Sequence, residues 1–596
     1  MKPKFSAILT TLICCVFYNV YSQDFMIHAH NDYENPLPFW NAYANGANSI
    51  EVDVILKNDT LYVAHEETSI KSNRTIERLY LKPLTEALNL ELGSLQKLQL
   101  LIDIKTEAVS TLNQIVETLK KHPQLIENKS ISFVISGNRP QPQDYLKYPE
   151  FIQFDYQSLE PISDPKIWDK IALISLPFKR YSVWNGKGRF TEDNLIKVKK
   201  AIAKAHSYHK PFRFWGSPDG KSAWKSLHDL GVDYINTDAP ATCYTYLSTL
   251  KQRTYTNTFH SPVYTPTYES DQKDTEVKNI ILLIGDGNGL SQISAATLAN
   301  QGALTLTQLK SIGFIKTQSA DDFTTDSAAA GTAIATGEKT YNRSIGMDIN
   351  RKPIENLTEF LYKYDFVTGC ITTDEITGAT PSSFYAHQID RDMTDGITAD
   401  LITSKLNLFI GGGANRFSDT NLDKTFAVVN NLSEIETSTE QKIGHFLSEY
   451  GVSSMTEGRG HILAEATKQA LTFLNNKNKP FFLMVEGAKI DTYGHFNKID
   501  GIVSEGIDFD TAITEAIKFA DTDKNTLVII TADHETSGLS IPQGDVKQQI
   551  IEGDFTTFDH TGTMVPIFAY GPQSYKFSGV YENNTIFNKV KEVLKL

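Results

Sequence analysis

Metal-ligand side chains recur along the second half of the chain, and most of them stand at the ends of apolar runs of strand length. An open α/β sheet delivers catalytic groups at the carboxyl ends of its strands, so we expect these side chains to meet at one sheet edge. Imidazoles mixed with carboxylates suit zinc, and the remaining carboxylates form a site of hard oxygen ligands. The residues are Asp286, Glu486, Asp491, His495, Asp533, His534 and His560.

Three apolar runs predict the strands that hold these ligands. KNIILLIGDG ends at Asp286, FFLMVEG ends at Glu486, and TLVIITADH ends at Asp533 with a histidine beside it. Asp491 and His495 are four residues apart, so they share one face if a helical turn follows. The sequence therefore places ligands at strand ends and on one adjoining helix.

Ser327 is predicted to be a nucleophile at the start of a helix. In TTDSAAAGTAIATG it precedes small, helix-compatible residues, and a helix N-terminus favours an anion through its N–H groups and dipole. A zinc ion near the hydroxyl would stabilise the alkoxide, which could then displace a phosphomonoester in line and become a phosphoserine. Arg391, in ATPSSFYAHQIDR, can hold two phosphate oxygens through its planar guanidinium.

These segments resemble the alkaline phosphatase family over roughly residues 277 to 596, because the motifs recur in order. The resemblance implies a doubly wound α/β/α domain and a phosphomonoesterase with two zinc ions and a magnesium ion. Ser327 would be the nucleophile and Arg391 the phosphate clamp. The implied ligand sets are Asp286, Asp533 and His534 for one zinc, Asp491, His495 and His560 for the other, and Asp286, Glu486 and Thr380 for magnesium.

Two positions depart from the pattern of that family. Gly378 stands two residues before Thr380, where the family often carries Asp or His, and this bears on the affinity of the magnesium site. Thr492 follows Asp491, where Lys or His is frequent, so one outer phosphate contact is expected to be missing.

The first half of the chain alternates strand-like runs with helix-compatible segments such as STLNQIVETLKKH and TEDNLIKVKKAIAKAH. The alternation predicts a (β/α)8 barrel of the TIM type over residues 24–250, which does its chemistry at the carboxyl ends of the strands. The eight strand-like runs are FMIHAH, NSIEVDVIL, LQLLIDIK, SISFVISG, FIQFDY, KIALISL, FRFWGS and VDYINTD.

A second set of chemically competent residues lies at the ends of the early barrel strands. Carboxylates there make a hard site for Mg²⁺ or Ca²⁺ that would bind a phosphodiester oxygen, and a lysine could neutralise another. Histidines on opposite sides of the phosphorus could act as general base and general acid. The carboxylates are Glu51, Asp53 and Asp103, the lysine is Lys105, and the histidines are His30 and His65.

This half resembles the phosphatidylinositol-specific phospholipase C-like superfamily, which includes glycerophosphodiester phosphodiesterases, over roughly residues 24 to 250. The resemblance ends in WGSPDGKSAWKSLHDLGVDYINTDAP, where Trp215 would wall the substrate pocket. His28 and His30 compete for the first catalytic role. We favour His30, because the Asn-Asp turn that follows it and its offset from Glu51 fit better, and we assign His28 to substrate binding.

The N-terminal segment, one polar stretch and the net charge indicate the location, the domain boundaries and the excluded partners of the protein. MKPKFSAILTTLICCVFYNVYS predicts a signal peptide at residues 1–22, so we expect export to the periplasm or secretion. The Thr-, Pro- and Ser-rich residues 251–276 predict an exposed linker between the barrel and a domain at 277–596. The net charge of −14 disfavours nucleic acid, and no run beyond the signal is long enough for stable membrane insertion. The oligomeric state stays open.

Together the two halves predict consecutive chemistry on small-molecule phosphoesters. A barrel that cuts a glycerophospho- or inositol-phospho diester releases a phosphomonoester, the substrate class of a serine and zinc phosphatase. The hypothesis is thus an exported bifunctional phosphate-scavenging hydrolase. Two alternatives are a monofunctional phosphatase whose barrel only binds anionic ligands, and an extracellular phosphate or metal binder without turnover.

Overall fold

The structure is a computed structural model that describes residues 25–93 and 97–596. The predicted signal peptide lies outside the described residues. The chain divides into two compact units, one ending at Leu250 and one beginning at Lys251. Each unit has its own apolar core.

The first unit is a barrel of parallel strands, as the sequence predicts, and each of the eight predicted runs contains one of its strands to within one residue. The strand order is β1-β9-β8-β7-β6-β5-β4-β2, closed by pairing of β1 with β2, and β3 adds an antiparallel edge to β2. The strands are β1 (Met26–Ala29), β2 (Ser49–Lys57), β3 (Thr60–Val63), β4 (Leu98–Ile104), β5 (Ile131–Gly137), β6 (Ile152–Tyr156), β7 (Ile171–Pro177), β8 (Phe212–Trp215) and β9 (Tyr234–Thr237).

Helices connect these strands, and the two segments named in the sequence as helix-compatible form α3 and α6. Buried apolar faces of the helices pack on the outside of the strands, which gives the barrel its larger core. The helices are α1 (Trp40–Ala44), α2 (Lys82–Asn89), α3 (Ala108–Leu119), α4 (Pro123–Ile126), α5 (Pro165–Asp169), α6 (Glu192–His206), α7 (Lys221–Asp229) and α8 (Pro240–Ser248), with α9 (Leu250–Arg253) at the boundary of the units.

The second unit is built on a ten-stranded sheet whose central strands are parallel. Its order is β15-β16-β14-β13-β17-β11-β18-β23-β12-β24, with β23 antiparallel to both of its neighbours. The strands of this unit are β10 (Thr254–Thr256), β11 (Asn279–Gly285), β12 (Ser311–Lys316), β13 (Val367–Glu375), β14 (Leu408–Gly412), β15 (Ala427–Val429), β16 (Ile443–Phe446), β17 (Phe481–Gly487), β18 (Thr526–Ala532), β19 (Glu535–Thr536), β20 (Ser540–Asp545), β21 (Ile550–Asp554), β22 (His560–Thr561), β23 (Val565–Tyr570) and β24 (Gly579–Glu582).

Helices cover both faces of this sheet, which makes the predicted α/β/α sandwich. Alternate residues of β11 enter different cores, Ile281 and Leu283 one and Ile280 and Leu282 the other, as a strand buried on both faces requires. The helices are α10 (Leu290–Ala299), α11 (Ser327–Thr336), α12 (Leu357–Tyr362), α13 (Ala379–Ser382), α14 (Thr394–Thr403), α15 (Glu434–Thr437), α16 (Ile462–Asn475), α17 (Lys489–His495), α18 (Ile499–Asp523) and α19 (Thr585–Leu594).

Two further observations bear on the sequence expectations. Across residues 25–93 and 97–596, the structure contains no helix that combines the length and apolar character needed to cross a bilayer. Cys243 and Cys370 are both buried and not joined in a disulfide.

The prediction of an exposed linker at 251–276 is wrong, because this segment packs on the second unit. Strand β10 pairs with β21, and Ser270 and Asp271 are buried. The carboxylate of Asp521 on α18 accepts hydrogen bonds from the Tyr264 hydroxyl at 2.7 Å and from the Thr267 amide at 2.9 Å. Some of the polar residues that suggested a linker, including Ser261, Tyr264 and Thr267, therefore donate hydrogen bonds to buried carboxylates of the second unit.

We expect Asp521→Ala to destabilise the second unit by about 3 kcal/mol, because it removes the acceptor of several donors at once, including the buried Tyr570 hydroxyl. Thermal unfolding followed by near-UV circular dichroism measures the effect. The exposed acid Asp419 provides the matched control, since Asp419→Ala should leave the melting temperature unchanged. Equal melting temperatures for the two variants would mean that residues 251–276 are not anchored through Asp521.

Candidate active sites

The predicted ligands of the second unit meet where three neighbouring parallel strands end. Gly285 of β11 is in register with Gly487 of β17 and with Ala532 of β18. Asp286 and Asp533 follow their strands directly, and Glu486 is the penultimate residue of β17. The strands thus fix the three carboxylates at one sheet edge.

One set of ligands consists of Asp286, Asp533 and His534. The His534 Nε2 atom lies 3.4 Å from Asp286 Oδ1 and 3.4 Å from Asp533 Oδ2. Both of these oxygens are buried and have no hydrogen-bond partner. Buried carboxylate oxygens without donors are costly, so the three side chains fit a divalent cation.

A second set consists of Asp491, His495 and His560. The Nε2 atoms of the two histidines are 3.1 Å apart, and they lie 3.3 Å (His495) and 3.5 Å (His560) from the Asp491 carboxylate. Each Nδ1 atom faces a backbone carbonyl, that of Phe558 at 2.6 Å and that of Thr325 at 2.8 Å. A carbonyl can only accept, so Nδ1 carries the hydrogen and Nε2 offers its lone pair to a metal.

Asp559 joins this second set, although the sequence analysis missed it. Its carboxylate lies within 4.8 Å of the ligand atoms of His495 and His560. The available signal was the dipeptide Asp559-His560, which repeats the pair Asp533-His534 after the third predicted strand.

The carboxylates raise one another's pKa because they are buried together. Burial, with the charge of nearby acids, raises the pKa of Glu486 to about 8 and that of Asp533 to about 6. The same two causes hold the pKa of Asp286 well above its usual range. For Asp491, burial is outweighed by hydrogen bonds from His495 and His560, which hold its pKa well below the usual range. The cluster therefore gains from a bound cation.

Ser327 is the first residue of α11, as the sequence predicts, and its hydroxyl lies 3.2 Å from His534 Nε2. The preceding residue, Asp326, caps the helix by accepting from the Ala329 amide at 2.9 Å. Its other oxygen accepts from Arg391 Nη1 at 3.1 Å. Asp326 therefore links the helix of the predicted nucleophile to the predicted phosphate clamp, a role that the sequence analysis did not assign.

Thr380 and Glu486 mark a third, oxygen-rich place beside these sets. The Thr380 hydroxyl is buried without a hydrogen-bond partner, and it lies close enough to Glu486 to lower that carboxyl's pKa. Glu486 also accepts a short hydrogen bond from Thr372, which sequence reasoning missed. Oxygen ligands without nitrogen suit Mg²⁺ better than zinc.

The barrel has its own cluster at the carboxyl ends of β2 and β4. Asp53 and Asp103 are in register, and their carboxylates lie with that of Glu51 within 4.8 Å of one another. Lys105 Nζ lies 3.0 Å from Asp53 and 2.9 Å from Asp103. Asp53 Oδ1 is buried without a partner, so the predicted Mg²⁺ or Ca²⁺ fits this group.

His30 and His65 flank this cluster, each held by a carboxylate. His30 Nδ1 lies 2.7 Å from Asp238 Oδ1, and His65 Nδ1 lies 2.7 Å from Asp53 Oδ2. Both rings are partly or largely open to solvent. The Tyr33 hydroxyl, which sequence reasoning missed, donates to Asp53 at 2.7 Å and thereby orients it.

The prediction that His28 binds substrate is wrong, because its ring is completely buried. Its nitrogens contact Ser49 Oγ and Glu51 Oε2, each at 2.8 Å. Burial and the charge of Arg213 lower the pKa of His28 to about 3, so it stays neutral. Arg213, which the sequence analysis missed, also donates to Glu51 at 2.9 Å; the signal was a charged residue inside the apolar strand FRFW.

A cleft opens from Lys105 along the ends of β4, β5 and β6. Its volume is about 990 Å³, and polar side chains such as Asn138, Arg139, Gln157 and Ser158 line it. Trp215, the predicted pocket wall, is the last residue of β8 and is exposed at the same end of the barrel. The cleft therefore suits a hydroxyl-rich or otherwise polar substituent.

The second unit is similar to alkaline phosphatases in both sequence and structure. The family model for alkaline phosphatase matches residues 277–427, 427–549 and 543–596. Alkaline phosphatase 4 of Bacillus subtilis (strain 168) is 31% identical over 415 residues, covering 54% of this chain and 90% of its own. The structure of alkaline phosphatase from the Antarctic bacterium TAB5 is 40% identical with a TM-score of 0.51, covering 54% of this chain and 99% of that one. A variant of that enzyme with a His-to-Asp change, 39% identical with a TM-score of 0.51 and the same coverage, has Mg bound in its M3 site.

The first unit matches two phosphodiesterase families. The AIM6-like phosphodiesterase domain matches residues 19–129, and the glycerophosphoryl diester phosphodiesterase family matches residues 211–241. These ranges include the carboxylate cluster, His30, His65 and Arg213.

Asp286→Asn is expected to shift stability in opposite directions with and without zinc. Without a divalent cation the change removes one of the crowded carboxylates, so the melting temperature rises, and more at pH 8 than at pH 5 because a carboxyl with a raised pKa destabilises the fold as pH rises. Zinc at a hundred times its Kd should stabilise the unchanged protein by about 2.7 kcal/mol and the variant much less.

Differential scanning calorimetry of the stripped and zinc-loaded proteins measures both effects. Asp419→Asn, at an exposed acid outside the cluster, should alter neither melting temperature. An equal gain from zinc in Asp286→Asn and in the unchanged protein would exclude Asp286 as a ligand.

Proposed function

Because this chain belongs to the alkaline phosphatase family and its barrel is similar to phosphodiesterase domains, we propose that it is an exported bifunctional phosphoester hydrolase. In this proposal the barrel cleaves small or lipid-derived glycerophospho- or inositol-phospho diesters. The second unit then hydrolyses the phosphomonoester product through a phosphoserine at Ser327. The observation that carries the proposal is the Ser327 hydroxyl at the N-terminus of α11, 3.2 Å from His534 in a cluster of unpartnered carboxylate oxygens.

Ser327 attacks the phosphorus and the alcohol leaves on the opposite side. The N-terminal amides of α11 and the guanidinium of Arg391 bind the phosphate oxygens. Asp326 holds both groups in place, because it caps α11 and accepts from Arg391 at 3.1 Å. Two zinc ions held by the two ligand sets would lower the pKa of the hydroxyl and neutralise the phosphate's charge. Water then attacks the phosphoserine from the side that the alcohol has left, which releases orthophosphate and restores the serine.

The barrel residues support acid–base cleavage of a diester. His30 and His65 are each held through Nδ1, so each presents Nε2 for proton transfer. Lys105 faces the carboxylates that would hold Mg²⁺ or Ca²⁺, where it can also contact a phosphate oxygen. The polar cleft beside Lys105 supports a small polar head group as the diester's substituent.

The order of the two reactions follows from their chemistry. A diesterase leaves a phosphate on one of the two alcohols, and only a monoesterase can then release orthophosphate. The predicted signal peptide supports export, so phosphate would be recovered from diesters outside the cytoplasm.

Single substitutions should separate the two activities in the full chain. We expect Ser327→Ala to lower kcat for monoester hydrolysis at least about a thousandfold and to leave diester cleavage intact, because only the nucleophile is lost. His30→Ala should lower diester cleavage roughly a hundred- to ten-thousandfold and leave monoester hydrolysis intact. Each variant serves as the control for the other.

Product analysis on glycerophosphodiesters and on glycerol phosphate measures both steps. Orthophosphate release that survives Ser327→Ala would refute the phosphoserine route. Diester cleavage that survives His30→Ala would refute the assignment in the barrel.

The pH profile of diester cleavage should depend on Asp238. Burial lowers the pKa of His30, but the hydrogen bond to Asp238 and the charge of Glu51 outweigh it, so the pKa is raised overall. If neutral His30 is the general base, Asp238→Asn lowers that pKa and moves the acidic limb of kcat/KM to lower pH. Asp233→Asn is the matched control. It alters another His–Asp pair, His206 and Asp233, which are also 2.7 Å apart but lie at the amino ends of the strands, so the pH profile should not change. An acidic limb that stays in place in Asp238→Asn would exclude His30 as the base.

A further inference from the structure

Position 378 and the side chain of Asp374 compete for one space in the second unit. Gly378 precedes the short helix α13, and a Cβ atom there would lie 3.0 Å from Asp374 Oδ2 and 3.0 Å from the Glu375 carbonyl oxygen. Contacts this short are tighter than ordinary side-chain packing allows. The glycine therefore leaves room that the Asp374 carboxylate occupies.

Asp374 lies next to the oxygen-rich place formed by Glu486 and Thr380. Thr372 of β13 is in register with Glu486 of β17, and Asp374 is two residues further along the same strand. The Asp374 amide donates to Thr372 Oγ1 at 2.9 Å, and that hydroxyl donates to Glu486. The strand is irregular between Ile371 and Glu375, but the charge of Asp374 still helps to raise the pKa of Glu486, so the two carboxylates are close neighbours.

The buried hydroxyl of Thr380, which has no hydrogen-bond partner, is a second and independent sign of a ligand here. Among the described residues, no lysine, arginine or histidine nitrogen lies within 4.0 Å of a carboxylate oxygen of Asp374 or Glu486. Lys489 and Arg391 act on Asp374 only from further away. The half-buried carboxylate of Asp374 and the buried carboxylate of Glu486, with the Thr380 hydroxyl beside Glu486, thus lack a cation in contact.

We propose that Asp374 is an oxygen ligand of a magnesium ion held with Glu486 and Thr380, in the space that any side chain at position 378 would fill. The inference rests on the proposed phosphatase centre, whose magnesium ligands it extends by one. Mg²⁺ accepts hard oxygen ligands and retains water, so a carboxylate at this point can bind the ion directly or hold its water shell.

Relocating the carboxylate tests the proposal. In the full-length, zinc-loaded protein, Asp374→Asn should weaken Mg²⁺ binding roughly 10- to 100-fold, the effect usual for groups that support a metal ligand shell. The double variant Asp374→Gly/Gly378→Asp moves the carboxylate to the other side of the same space and should recover most of the affinity. Glu375→Gln is the matched control, because that neighbour's carboxylate accepts from Arg416 Nε at 3.0 Å and should not affect Mg²⁺.

Isothermal titration with MgCl₂, and the rise in melting temperature that Mg²⁺ produces, are the two readouts, and neither depends on turnover. Zinc content by elemental analysis and the melting temperature without Mg²⁺ establish that each variant is folded. Unchanged Mg²⁺ affinity in folded Asp374→Asn would overturn the inference and leave the proposed function standing. Failure of the double variant to recover affinity would overturn the shared-space argument. A wild-type protein that binds no Mg²⁺ would overturn the inference together with the expected magnesium site at Thr380 and Glu486, and would leave the proposed phosphoserine route standing.

Discussion

The second unit depends on one electrostatic constraint, the burial of several carboxylates at the ends of adjacent parallel strands. Two like charges about 4 Å apart repel by about 4 kcal/mol at an effective dielectric constant near 20. Burial first, and this repulsion second, raise the pKa values of Asp286, Glu486 and Asp533. The strands keep these carboxylates close together although their charges repel one another. A bound cation would relieve the repulsion, so the fold itself favours cation binding.

The barrel also brings several carboxylates together, but there the side chains of a lysine and an arginine balance more of the negative charge. Lys105 contacts two of its three clustered carboxylates, and Arg213 contacts the third, Glu51. Only one carboxylate oxygen of that cluster, Asp53 Oδ1, is buried without a partner among the described residues. The barrel therefore offers one unpartnered oxygen to a cation, whereas the second unit offers several unpartnered oxygens and three histidines.

The sequence predicted most of the fold, because parallel strands buried on both faces are continuous apolar runs that end in polar residues. β11, β17 and β18 have this pattern, and the ligands at their ends follow from it. The missed residues act through partners distant in sequence: the Asp559 carboxylate lies within 4.8 Å of the ligand atom of His495 on α17, and Arg213 donates to Glu51 on another strand. Residues 251–276 were misjudged for the same reason, since the buried acceptor of Tyr264 lies 257 positions away. Depth inside a barrel is also invisible in sequence, so His28 could not be separated from His30 by composition alone.

The small residues of the motif SAAAG, which begins at Ser327, are explained by the packing of α11. Every residue of α11 is buried, and a Cβ atom at Gly331 would lie 2.9 Å from Ser383 Oγ, so the helix needs small side chains to pack this closely. Close packing on all sides fixes the helix N-terminus, and with it the Ser327 hydroxyl and the amides that would bind phosphate in the proposed mechanism. A nucleophile held in this way loses little further freedom when the substrate binds. The small residues are therefore required by packing, and that packing gives Ser327 the fixed position that the proposed nucleophile needs.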